Sequence, residues 1–180
     1  FYKLEPLSFL MNNCSNIPII TLKGETKGTL IVDVVPTDEE GNNFTDIPSD
    51  PFELIGQTLK YYIEIKEVNN LPLNFSKCFQ VEYNAFNSGG QGKEYKTKEY
   101  NIEGTMDSFK IDEKFQHEIS YITKEDIICL QKEKLCFKIY AYEIIEKKGK
   151  NPLPSREDIL SNHLGVKFKD ENKNELPKED

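Results

Sequence analysis

The sequence predicts a mainly β protein, an antiparallel β-sandwich with an N-terminal hairpin and two short helices. Three observations predict it. Apolar residues alternate with polar ones at a period of two in several segments, turn-forming residues punctuate these segments, and the strand candidates number at least seven in series. Such a series favours a sandwich over a parallel α/β sheet, which needs a long crossover between each pair of strands.

The elements follow in chain order. Residues 17–22 and 29–35 are β-branched runs flanking Gly24-Glu25-Thr26-Lys27-Gly28, the punctuation of a hairpin. Residues 36–51 carry Asp38, Glu39, Glu40, Gly41, Asn42, Asn43 and Asp46 without periodicity, which reads as a linker or long loop. Leu59, Tyr61, Ile63 and Ile65 then alternate with Lys60, Glu64 and Lys66, as in a half-buried strand, and Tyr62 alone breaks the polar face. After Asn69-Asn70-Leu71-Pro72, residues Phe79, Val81, Tyr83 and Ala85 alternate with Gln80, Glu82 and Asn84, up to a loop at 87–92. Segments 94–103, 114–121 and 134–145 complete the strands. The odd-numbered apolar residues of 59–65, 79–85 and 135–141 are expected to share one core.

A first helix is expected over 124–132, where Thr123 is positioned to cap and Asp126 takes the capping-box position usually held by Glu. A second spans 156–163, with Ser155 as its N-cap and Ile159 and Leu160 as its apolar face. Residues 167–180 are nearly all charged or amide and are expected to be disordered. The expected organisation is a hairpin extension and linker at 1–50, the sandwich at 51–146, and a helix with a tail at 147–180.

With 37% hydrophobic residues, including eleven Phe and nine Tyr, the 180-residue chain can fill a core. A net charge of −8 and a pI near 5.0 oppose sequence-independent binding to nucleic acid, and they oppose attraction to anionic lipid unless a local basic patch prevails. Cys14, Cys78, Cys129 and Cys136 form no C-x-x-C pair and have no matching His spacing, so they are expected to be free thiols without a zinc site. No segment approaches ~20 apolar residues, which favours a cytoplasmic location. Opening on Phe1 rather than Met, the chain is expected to be a segment of a longer protein.

Leu54-Ile55-Gly56-Gln57, the strand 59–68 and Asn69-Asn70-Leu71-Pro72 resemble the start of the C2-like segment in kinesin-3 tails. Downstream, Phe79-Gln80-Val81-Glu82-Tyr83-Asn84-Ala85-Phe86, Tyr95-Lys96-Thr97, Ile102-Glu103-Gly104, residues 123–130 and Leu135-Cys136-Phe137-Lys138-Ile139-Tyr140 fall in that family's order. Tyr2-Lys3-Leu4-Glu5-Pro6-Leu7 and Gly28-Thr29-Leu30-Ile31-Val32 resemble the segment just upstream in those motors. The resemblance covers about residues 1–145. It implies a C2-like sandwich and a non-catalytic tail module, docking cargo adaptors, other parts of the motor or microtubule-associated proteins. It also implies a cytoskeletal, microtubule-associated and even ciliary setting. The chain itself carries no G-x-x-x-x-G-K-[ST] and no forkhead-associated or pleckstrin segment, so the motor's ATPase activity does not transfer to it.

The residue constellations bear on that expectation. His117, between Phe115 and Ile119, is expected to be a hydrogen-bonded structural histidine and His163 a surface one, since neither has catalytic or metal-ligating partners in sequence. No cofactor and no enzyme activity are expected for this segment. Calcium sites need clustered carboxylates, and the loop 69–74 offers only amides and apolar residues. Lys93, Lys96 and Lys98 form a basic strand face for an alternative, calcium-independent lipid-binding C2 reading, diluted by Glu94 and Glu99. Lys147, Lys148, Lys150 and Arg156 form a second basic cluster. Another alternative is a C2-like structural scaffold of a ciliary microtubule array. Tyr62, Tyr140 and Tyr142 are expected on outer sheet faces as anchors for a protein partner, unless the opening hairpin covers them.

Overall fold

Alternation decides the strands, and the computed structural model shows them pairing into antiparallel sheets, with residues 1–44, 46–72, 78–86, 92–102 and 107–142 described. These lie in a compact unit that spans Phe1–Ile144. The strands are β1 (Tyr2–Lys3), β2 (Asn13–Ile20), β3 (Thr26–Thr37), β4 (Leu59–Asn69), β5 (Cys78–Asn84), β6 (Glu94–Lys96), β7 (Tyr100–Asn101), β8 (Ser108–Ile119), β9 (Lys134–Leu135) and β10 (Phe137–Tyr142). One four-stranded sheet has the order β2-β3-β4-β8. The other has β10-β5-β6, with β7 also paired to β5, and β1 joins β9 in a two-stranded ribbon.

The two larger sheets face each other across one core. The first sheet supplies Val32, Val34, Leu59, Tyr61, Ile63 and Ile65, and the second supplies Phe79, Val81 and Tyr83, all buried in a single cluster. Every odd-numbered residue of the 59–65 alternation points inward, as a period of two requires. Phe137, Ile139 and Ala141 of β10 pack on the same cluster from its margin. At one end of the sandwich Leu7 of a 3₁₀ turn (Glu5–Phe9), Leu54 of a second (Pro51–Leu54) and Ile127 and Leu130 of helix α1 (Lys124–Lys132) extend the core.

The hairpin is not an extension ahead of the sandwich. Its turn closes through Thr21 N–H to Glu25 O and Gly24 N–H to Thr21 O, both 2.9 Å. Strand β3 then pairs along its length with β4, from Thr29 opposite Asn69 to Thr37 opposite Lys60. Gly28 permits this approach: its φ is +130°, and a Cβ there would stand 2.5 Å from the Asn69 carbonyl oxygen. The hairpin therefore contributes half of a sheet and covers neither outer face.

Three other sequence expectations change. The strand expected over 94–103 breaks at Thr97, whose N–H donates to Val81 O (2.9 Å) while its hydroxyl accepts from Val81 N–H (3.0 Å), so a side chain replaces part of the ladder. The last strand is interrupted at Cys136, because Leu135 pairs with Tyr2 whereas Phe137 pairs with Tyr83. The loop 36–51 is ordered in part. Asp38 Oδ1 accepts from the Glu40 and Asn42 N–H groups, and Asp50 and Glu53 form a capping box on the second 3₁₀ turn. Helix α1 starts where expected, with the reciprocal Thr123 and Asp126 capping box. The second expected helix, the tail, the cluster from Lys147 to Arg156, His163 and strand residues 143–145 lie outside the described residues.

Candidate functional site

Polar-tipped aromatics occupy inward positions of four neighbouring strands and meet between the sheets. His117 of β8 stacks on Tyr61 of β4, ring centroids 5.0 Å apart and planes 20° apart. Its other neighbours are Tyr95 of β6, edge-on at 4.5 Å, and Tyr83 of β5, whose hydroxyl lies 2.7 Å from Nε2. Burial disfavours the imidazolium and Lys93 adds like-charge repulsion, so the His117 pKa falls to about 4 and the ring is neutral at pH 7. Burial likewise raises the phenol pKa values of Tyr61 and Tyr83. These residues bear out the expected hydrogen-bonded His117. A second aromatic group, Phe79, Tyr100 and Phe109, packs with centroids 5.0–5.5 Å apart, and the Tyr100 hydroxyl donates to Glu113 Oε1.

The His117 group is also the wall of a cavity. An opening of about 630 Å³ is lined by Tyr61, Tyr95, His117, Phe86, Ile119, Lys60 and Lys93, with Asp38, Glu39, Glu40, Glu118 and Asp126 also on its boundary. Alternation in the sequence puts Tyr61 in the core and Lys93 on a basic strand face without joining them, although an inward Tyr61, Tyr83 and His117 are a legible sign of a polar core end. The cavity has the volume of a small-molecule site and mixed aromatic and charged walls, so it can bind a polar ligand.

Two of the tyrosines expected as anchors, Tyr62 and Tyr140, lie on different sheets. Tyr62 lies half-buried on the outer face of β4, opposite Val35, with the Lys114 ammonium 4.9 Å above its ring. Tyr140 lies on the outer face of the other sheet, opposite Gln80, and is 37% exposed. It belongs to β10, an edge strand with no second pairing partner among the described residues. Tyr142 pairs with Cys78 two positions along the same strand. Tyr62 therefore forms no common surface with Tyr140.

The lysines do not form one strand face. Strand β6 ends at Lys96, and Lys98 lies in the link before β7. The Lys96 ammonium is 2.8 Å from Glu82 and 3.1 Å from Glu94, so its charge is already matched. Lys93 and Lys98 each lie 5.2 Å from the ring centre of a tyrosine, Tyr95 and Tyr100. All four cysteines are free thiols. Among the described residues no cluster of His, Cys, Asp and Glu is arranged to hold a metal ion, and no helix is long and apolar enough to cross a membrane.

The fold and site define a two-sheet antiparallel β-sandwich with a cavity at one end and an aromatic-bearing edge strand. Neither the models of known protein families nor the curated proteins give a match to the chain.

Proposed function

We propose that this chain is a non-catalytic protein-docking module of the kind that forms the C2-like part of kinesin-3 tails. In this reading it works in the cytoplasm on microtubules and holds a cargo adaptor or another part of its motor. The observation that carries the reading is Tyr140 on β10. An aromatic ring stands exposed on the outer face of an edge strand, where a partner gains both a rigid apolar anchor and unpaired backbone groups. The order of sequence blocks from Tyr2 to Tyr140 supports the kinesin-3 part of the reading.

That part is tested by sequencing the full transcript around these 180 residues. A motor domain carrying G-x-x-x-x-G-K-[ST] in the same reading frame is the expected result. A complete frame without a motor domain would overturn the motor assignment and leave a scaffold.

A further inference from the structure

The charges around the end cavity are arranged in a way that a docking face on β10 does not require. Tyr61 and Tyr95 line the floor with phenol hydroxyls, groups able to donate, beside His117, whose Nε2 is engaged with Tyr83, and the Lys93 ammonium lies over the Tyr95 ring. Lys93 forms no ion pair with a described carboxylate. The acids of the boundary are Asp38, Glu39 and Glu40 on an exposed turn, exposed Glu118 of β8, and buried Asp126, which takes part in the α1 capping box. Hydrogen bonds from the Asn42 and Glu40 backbone hold the Asp38 carboxyl below its usual range.

We propose that this cavity binds a small zwitterionic ligand, with its carboxylate against Lys93 and the floor donors and its ammonium at the Asp38–Glu40 turn. An oxyanion is held best by an unpaired cation with neutral donors beside it. A simple amine meets repulsion from Lys93, and a polyanion meets repulsion from the acidic turn. Tyr61, Tyr95 and Phe86 supply flat apolar walls for the body of the ligand, and about 630 Å³ accommodates an amino acid or a slightly longer chain.

The test uses the full chain, isotope-labelled, and a series of ω-amino acids from glycine to 6-aminohexanoate. Hexanoate and hexylamine serve as single-charge controls. At least one amino acid is expected to shift the resonances of Lys93, Tyr95 and His117 saturably at millimolar concentration. Lys93 is exposed, so Lys93→Ala should fold normally and weaken that binding about tenfold or more. Glu39→Gln combined with Glu40→Gln should weaken the amino acid but not hexanoate. The proposal is overturned if no amino acid binds, if either control binds as tightly as the best amino acid, or if Lys93→Ala leaves its affinity unchanged.

Discussion

Lowering the pH from 7 to 5 should destabilise this protein through His117 specifically. In the folded state its pKa is about 4, against 6.5 for a free side chain. The folded pKa is depressed, so between these values the unfolded chain binds the extra proton, and stability rises with pH. The neutral ring's contribution is complete above pH 6.5 and is lost progressively as the pH falls toward 4. For these two pKa values the loss between pH 7 and pH 5 is about 2 kcal/mol, or about 1 kcal/mol if solvent in the cavity screens half of it. Urea unfolding at both pH values measures it, with His117→Gln as the reference. Gln can still hydrogen-bond the Tyr83 hydroxyl, and the carboxylate contributions cancel in the difference. The chain has only two histidines, so an NMR titration can also follow His117 directly. A His117 midpoint near 6.5, or a wild type that loses no more stability than the variant, would refute the burial argument.

Other substitutions probe separate parts of the fold. Ile63 is fully buried on β4, so Ile63→Asp should cost several kcal/mol and leave the chain unfolded by circular dichroism. Gly28→Ala places a methyl 2.5 Å from the Asn69 carbonyl oxygen at a φ that disfavours L side chains, and thermal melting should show a loss of about 2 kcal/mol. Thr123→Ala removes one half of the α1 capping box, and chemical denaturation should register a loss of about 1 kcal/mol.

What was legible in the sequence is what is local. A period of two fixes the inward side of β4, β5 and β10 whatever their neighbours, and the Thr123 and Asp126 pair marks a helix start within four residues. The same signature, Asp50 with Glu53, stands at the head of the second 3₁₀ turn. It is hard to read there because the segment has no periodicity and too few residues to show any. The pairing of β3 with β4 was not legible, since a 21-residue connection (38–58) separates strands whose alternation is compatible with several partners. The cavity was harder still. Tyr61, Tyr83, Tyr95 and His117 come from four strands, and only the register across two sheets brings their rings within 4.5–5.8 Å of a neighbour in the group. Outward tyrosines were easier to find than to group: parity places Tyr62 and Tyr140 outside, but not that they belong to opposite sheets.

Docking through β10 is tested most directly by measuring the affinity of a partner, isolated on the immobilised wild-type chain, for wild type, Tyr140→Ser and Tyr62→Ser. Melting temperatures measured alongside confirm that each variant is folded. If Tyr140 is the anchor, Tyr140→Ser should weaken binding by about 30-fold, the equivalent of ~2 kcal/mol, at an unchanged melting temperature. Tyr62→Ser, on the other face of the sandwich, should bind as wild type does. A folded Tyr140→Ser variant that binds the partner with wild-type affinity would contradict docking on this strand.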